Sequence, residues 1–470
     1  MATMRRACMR RRSTTESRSM RRLVIPGALA RVGLLTLATG CVSVDPREDL
    51  DRAASLVEKH SPVAPAWAVL GEDDPDQWDG ESPLRLEAAV RLALRNNPSL
   101  RAELESIAAA RADLVQSGLL PNPIVSIAFR LPLQSGIGQV EATGVQGLAA
   151  LLLRGRRQGA AQAELERVVQ SVSDRALRLV ADVRAAQSGV VYGQRAVGLT
   201  RESLSLLDRL IELTESRRRA GEASTLDVNR LRQLRLGLLA ELQREEKDLG
   251  RRKQEMLRVL GLADGKTTWI AEAEEDRSVE GLDEERVVDL VKQQRLDVAA
   301  ARFAVEARRQ ELGIAEKAPF AAFGSGLSYK SEDADQFLGP EIEVAVPIFD
   351  TGKAQVARAQ ALLRAEISRA RGVLQDAVSE ARSALLELRS AEKLVRFYRE
   401  NVIVLAEENL VLAEQAVRAG QDDQTVLLEA QRELVGARRT LNQLEGDRSF
   451  ALSELEYAVG GSLDRSQEQK

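Results

Sequence analysis

The sequence predicts a mainly α-helical chain with a small β part, built from a helix–strand–strand–long helix–return helix unit that occurs twice. Three observations predict it. Residues 353–419 are built almost wholly from Ala, Leu, Val, Arg, Glu and Gln with no proline, and residues 155–220 have the same character; all of these types except Val are good helix formers. Landmarks recur at near-constant spacing, with Pro121 and Pro319 198 apart, Gly155 and Gly352 197 apart, and Gly221 and Gly420 199 apart, as an internal repeat requires. Aromatics make up only 3% of the 470 residues, too few for a large conventional core. Helices this long must therefore bury themselves side by side. At about 1.5 Å per residue, the second run alone would reach roughly 100 Å.

Residues 1–40 stand apart. They hold nine arginines against one acid, Glu16, and end in the apolar run Val32 to Ala38, the pattern of a secretory signal. Met1 and Met20 are both compatible with its start. The segment closes on Leu37-Ala38-Thr39-Gly40-Cys41, which resembles a bacterial lipoprotein box with Ala38 where that box usually has Leu. Cys41 is then the acylated first residue of the mature chain, or, with an ordinary cleaved signal, an incidental cysteine. Removing the leader takes the net charge from −4 to about −12, which excludes a nucleic-acid binder. Cys8 leaves with the leader, so no internal disulfide is expected. No run of 18 apolar residues follows Cys41, so no transmembrane helix is expected.

Residues 41–82 are rich in Pro, Asp and Glu and read as an extended N-terminal linker. Pro83 to Asn97 is amphipathic through Leu86, Val90 and Leu94, Pro98 interrupts it, and a second helix covers Leu100 to Gly118. From Ile124 the chain alternates, with Ser126, Ala128 and Arg130 on the side of Ile124 and Val125, Ile127, Phe129 and Leu131 opposite, as a strand does. A second strand is expected over Val140 to Leu153, and Gly155 opens the first long helix. Arg217-Arg218-Arg219-Ala220-Gly221 is a helix stop. Ser224-Thr225-Leu226-Asp227 is a capping-box start for a return helix reaching about Leu260. The first unit thus spans 83–262, and a polar linker covers 263–283.

The second unit, 284–463, follows the same order. Helices are expected over Glu284 to Arg295 and Asp297 to Lys317, a strand from Pro319 to Tyr329, a turn over Lys330 to Gln336 and a strand from Phe337 to Phe349. Gly352-Lys353 opens the long helix, Arg418-Ala419-Gly420 stops it, and the return helix runs from Thr425 to about Val459. Residues 464–470 form a tail. Enzyme readings fare badly, since paired carboxylates on helices this charged are usually solvated faces. Beyond the leader the chain holds one histidine, His60, and one cysteine, Cys41, so neither a catalytic triad nor a His/Cys metal site can be assembled. No Gly-rich phosphate loop is present, and no cofactor is expected.

Strands of about ten residues suit a tilted membrane barrel. Four per chain cannot close one, and an open edge is not tolerated in lipid, so the chain must oligomerise. Four segments carry a resemblance: Gly118-Leu119-Leu120-Pro121-Asn122-Pro123, Leu152-Leu153-Arg154-Gly155-Arg156-Arg157, Val346-Pro347-Ile348-Phe349-Asp350-Thr351-Gly352-Lys353, and Ala220-Gly221-Glu222-Ala223-Ser224-Thr225-Leu226-Asp227-Val228. Through them the chain resembles the TolC-like outer membrane efflux proteins over residues 82–463, and in particular the cobalt, zinc and cadmium branch. The resemblance implies a homotrimer with a twelve-stranded transmembrane β-barrel above a long α-helical barrel. It implies a passive export duct for metal cations or drugs, docked to an inner-membrane transporter through a periplasmic adaptor (membrane fusion) protein, with Cys41 lipidated in the outer membrane.

The resemblance also implies that the turns at Gly221 and Gly420 lie at the periplasmic mouth, where Asp227 and Glu429 would each form a ring of three carboxylates. Equally, Asp227 is the N3 residue of its capping box and Glu429 a solvated helix residue. Asp422 and Asp423 either cap the return helix or add to the acidic mouth. Asp422 stands where a gate-locking Arg is expected and Val426 replaces an acid, so a salt-bridge latch is not carried over. Two other classes share parts of this pattern. A periplasmic adaptor lipoprotein predicts one helical hairpin between split β-domains, and a coiled-coil scaffold predicts strands that do not enter membrane.

Overall fold

The computed structural model describes residues 44–463 except 62, 64–66, 68–77, 132, 134–137, 274–281, 322, 333–334, 420 and 422–423. Helices α1 (Arg47–His60), α2 (Leu86–Asn96) and α3 (Pro98–Ser117) lead to strands β1 (Ile124–Arg130) and β2 (Gln139–Gly147). Helix α4 (Ala149–Arg219) and return helix α5 (Thr225–Val259) follow. The order then recurs as α6 (Glu284–Gln294), α7 (Leu296–Lys317), β3 (Phe323–Glu332), β4 (Asp335–Val344), α8 (Lys353–Phe397), a π-helical turn (Tyr398–Val402), α9 (Ile403–Arg418) and α10 (Gln424–Ala458). The long helices pack on each other and on the short ones, α4 against α3, α5, α7 and α10, and α8 against α6, α7 and α10.

The same local chemistry bounds corresponding elements. At the end of α4, Gly221 sits at φ +83, Glu222 N donates to Arg217 O at 2.9 Å and Gly221 N to Arg218 O at 3.1 Å. This is the Schellman pattern that a glycine permits. Past α9, Gln421 N donates to Ala416 O at 3.0 Å, the matching bond 199 residues later. The return helices α5 and α10 also end alike, at Gly261 (φ +75) and Gly460 (φ +95). A Cβ at Gly261 would lie 2.5 Å from Asn96 O, and one at Gly460 2.9 Å from Arg295 N. Each glycine is therefore pressed against the break between two short helices. Those breaks have nearly the same backbone, φ −63 and ψ 117 at Asn97, φ −64 and ψ 119 at Arg295.

Buried side chains form two clusters. One joins Ala53 and Val57 of α1 to Val90, Leu94, Leu100, Ile107, Leu165, Met256, Leu257 and Trp269; the other joins Val287, Val291, Val298, Ala381, Leu385 and Leu455. Each large aliphatic buried this way contributes about 1.5–3 kcal/mol.

Several expectations are corrected. Residues 41–82 are not simply an extended linker. Helix α1 forms there, and its fully buried Asp49 is held by Arg52 and by Arg111 of α3, while Trp67 Nε1 donates to Leu50 O at 3.1 Å. Pro98 does not merely interrupt a helix but opens α3 at N1, behind an Asn97 cap that accepts from Ser99 N at 3.0 Å and Leu100 N at 3.2 Å. That is the position at which proline's missing N–H costs nothing. The second strand stops at Gly147 rather than near Leu153, because α4 begins at Ala149. Gly155 therefore lies inside a helix, whereas Gly352 is a left-handed N-cap (φ +72) whose Cβ would lie 2.3 Å from Pro319 Cγ.

Pro319 belongs to a 3-10 turn, Ala318–Phe320, and the strand starts at Phe323. β4 ends at Val344, leaving Phe349 outside it. The turn expected over Lys330 to Gln336 narrows, since Glu332 already pairs with Asp335. The polar linker 263–283 is partly packed. Trp269 is buried, its ring meeting Trp78 edge-on at 5.5 Å, and Leu84 forms a parallel bridge with Ala271.

Candidate functional site

The four strands form one antiparallel sheet in the order β1-β2-β3-β4, so β1 and β4 each keep one edge without a strand partner among the described residues. The register fixes which side chains share a face. Ile127 pairs with Ala142, Ala142 with Tyr329 and Tyr329 with Leu338, and Val125, Gly144, Leu327 and Pro340 form the next row. Phe129, Val140, Ile342 and Val344 lie on this face too, and it carries no charged residue. Every charged strand residue, Arg130, Glu141, Lys330, Glu332, Asp335, Glu341 and Glu343, falls on the other face. There Arg130 and Glu141 pair across the strands at 2.9 Å.

The apolar face has no cover. Val125 is 68%, Phe129 72%, Leu338 72% and Ile342 74% exposed, which in water would be an unmanaged hydrophobic surface. The register puts Phe129, Phe323 and Tyr329 on the apolar face and Phe337 on the charged one. Glu141, Lys330, Glu341 and Glu343 were not among the residues expected to matter, although their alternation with apolar neighbours was a readable signal. No helix among the described residues is long and apolar enough to cross a membrane.

At the far end of the long helices, Ser224 and Asp227 form the expected capping box. Asp227 N donates to Ser224 Oγ at 3.2 Å, and the Asp227 carboxylate accepts from Ser224 N at 2.9 Å and from Ser224 Oγ at 2.6 Å. These bonds hold its pKa below the usual carboxylate value, so Asp227 is ionised and anchored to its own helix start. Glu429 is exposed on α10 and lines a groove between α4, α5 and α10 together with Arg230 and Arg432. The structure thus brings the starts of α5 and α10 to one end of the helices, with basic side chains beside Glu429. Val426 is exposed nearby. Gly420, Asp422, Asp423 and the lipidation candidate Cys41 lie outside the described residues.

A model of the outer membrane efflux protein family matches residues 287–461. Outer membrane protein OprJ of Pseudomonas aeruginosa is 28% identical over 475 residues, covering 92% of this chain and 95% of its own length. The chain is thus similar to the outer membrane efflux proteins, over residues 287–461 by the family model and over nearly its whole length by OprJ. Among solved structures, a membrane protein from Pseudomonas aeruginosa superposes with a TM-score of 0.68 at 22% identity, over 85% of this chain and 98% of that one. CusC, described in terms of transmembrane channel formation, superposes with a TM-score of 0.67 at 18% identity, over 80% and 92%. Efflux proteins of this family are outer membrane channels, passive conduits rather than enzymes.

Proposed function

We propose that three copies of this chain assemble into a passive export duct. Three four-stranded sheets would join β1 to β4 of the next copy and close a twelve-stranded barrel, and three sets of long helices would form the tunnel beneath it. The observation that carries this reading is the division of the sheet into one uncharged, uncovered face and one face holding every strand charge, together with two open edges. Hydrocarbon accepts only the first face and tolerates no open edge, so closure by copies satisfies both constraints at once.

The two repeated units would be 83–262 and 284–463, as the matching breaks at Asn97 and Arg295 support. The partners would be a periplasmic adaptor and an inner-membrane transporter that supplies the energy, and Cys41 would carry the lipid. Metal cations and drugs are both suitable cargo classes, because a passive duct selects by size and charge rather than by ligation. Asp227, Glu429, Asp422 and Asp423 would make the mouth electronegative. Two long hairpins, α4 with α5 and α8–α9 with α10, favour this reading over an adaptor with one.

The reading predicts that the purified protein has the mass of a trimer in detergent and migrates faster unheated than heated on a denaturing gel. A monomer whose migration ignores heating would overturn it. Susceptibility of a deletion strain to a panel of metals and drugs would name the cargo.

A further inference from the structure

A cavity of about 270 Å³ lies where α4, α10, the π-helical turn, Leu86 of α2 and residues 272–273 converge, away from both the sheet and the mouth. Its wall carries four guanidinium groups, from Arg184, Arg195, Arg399 and Arg448, against the carboxylates of Glu272 and Glu445. Glu445 is held by two of these same arginines, and Glu272 by an arginine outside the wall. Glu445 accepts from Arg399 at 2.7 Å and Arg195 at 3.4 Å, and Glu272 accepts from Arg85 at 2.9 Å. Four guanidinium groups thus line the wall against two carboxylates, with Arg184 also paired to Glu456 and Arg448 lying 4.0 Å from Glu392.

Three polar groups on this wall are buried without a hydrogen-bond partner: Arg184 Nε, Ser188 Oγ and Gln187 Oε1. Arg184 is only 6% exposed and spends its Nη1 on the buried Glu456 of α10, which leaves the Nε–H over. The Gln187 amide nitrogen donates to Glu272 O at 3.1 Å and to Leu84 O at 3.4 Å, so its oxygen is the atom left over. A buried polar group without a partner costs about 1–3 kcal/mol, and three on one wall call for an occupant. The π-helical turn is a second, independent pointer. It inserts an extra residue into the ladder between α8 and α9 and contributes Arg399 to the cavity, and such turns concentrate at functional sites. Helix α4, the counterpart of α8–α9, has no such turn.

We propose that this cavity binds a small oxyanion that bears one O–H, of which hydrogen phosphate is the simplest. Its oxygens accept from Arg184 Nε–H and Ser188 Oγ–H, its hydroxyl donates to Gln187 Oε1, and the surrounding guanidinium groups balance its charge. The same requirement disfavours sulfate, which at neutral pH has no proton to give. The bound anion sits on α4, between α10 and the π-helical turn.

The test is equilibrium dialysis of the purified full-length protein against radiolabelled inorganic phosphate, with sulfate as competitor. One saturable site per chain is expected, with sulfate competing at least tenfold more weakly. Ser188→Ala and Arg399→Gln should each weaken phosphate by roughly fivefold to tenfold, the loss of one hydrogen bond or one long-range charge. Both substitutions leave the Arg184–Glu456 pair in place, and helical content measured by circular dichroism verifies the fold. Absence of saturable binding to the folded protein would overturn the proposal, as would binding unchanged in both variants or sulfate competing as well as phosphate.

Discussion

The two halves place the same backbone break at Asn97 and Arg295 and fill it with opposite chemistry. In the first half Asn97 caps α3 and donates through Nδ2 to Val259 O, at 3.0 Å, at the end of α5. In the second, Arg295 reaches the corresponding carbonyl, Ala458 O at the end of α10, at 3.2 Å. Arg295 is nearly fully buried and also donates to Asp297 at 2.8 Å and to Glu380 of α8 at 2.8 Å. Its guanidinium stacks 5.0 Å from the Tyr457 ring, Arg178 of α4 lies 4.9 Å from the same ring, and Tyr457 OH donates to Asp174 of α4 at 3.3 Å.

A short amide thus closes one break locally, while the longer cation at the other recruits four helices. The bond to the return helix is what the fold demands at this point. The ion cluster is an addition that ties the halves together.

Replacing the two residues should separate these roles. Arg295→Ala leaves Asp297 and Glu380 without their shared cation in a partly buried site, and a loss of roughly 3 kcal/mol or more is expected. Thermal unfolding followed by circular dichroism would detect it, and an unchanged midpoint would mean that the cluster is ornamental. Gly460→Ala and Gly261→Ala should cost roughly 2–3 kcal/mol each, since each adds a Cβ at positive φ within contact distance of the opposing break. If only one of the pair is destabilised, the two breaks are not equivalent.

Asp174 supplies a pH test. Burial, with a further contribution from Asp297, pushes its pKa up to about 6. The folded state therefore holds this proton more tightly than the unfolded chain, whose ordinary value is 3.8. The contribution is full below 3.8, fades as pH rises toward 6 and is gone above it. Asp174→Asn should remove a stability change on the order of 2–3 kcal/mol across that window. The comparison is variant against parent at pH 4.5 and pH 7, because the lowered pKa of His60, caused mainly by burial, gives a slope of opposite sign in the parent. The smallest effect is expected for Asn97→Ala, roughly 1–2 kcal/mol for the lost cap and the lost bond to Val259. A larger loss than Arg295→Ala would invert the comparison.

The ends of the long helices were legible in the sequence because their punctuation is local. Gly221 and Gly352 are demanded by left-handed backbone, and Ser224 with Asp227 by a helix start, so each residue type betrays its position. The two faces of the sheet were legible as well, through the alternation of Val125, Ile127 and Phe129 with Ser126, Ala128 and Arg130. Helix α1 was not, because its buried face consists of Asp49, Ala53, Val57 and His60, and two of those four look like solvent residues until Arg52 and Arg111 neutralise Asp49. The role of Arg295 was hidden for a similar reason. A basic residue between two helices looks solvated, and its partners Glu380 and Tyr457 lie far away in sequence. The cavity at Arg184 is likewise assembled from separated elements, and only packing reveals its leftover donors and acceptor.

The central claim, that copies of this chain close into a conducting barrel above a helical tunnel, is tested most directly by single-channel recording of the purified protein in planar lipid bilayers. The account predicts discrete conductance steps with a preference for cations, and a shift in conductance or in that preference when Asp227→Asn and Glu429→Gln remove the carboxylates at the mouth. Folded protein that incorporates into the bilayer but never yields steps would contradict the duct itself. Steps whose size and ion preference ignore both substitutions would contradict the electronegative mouth.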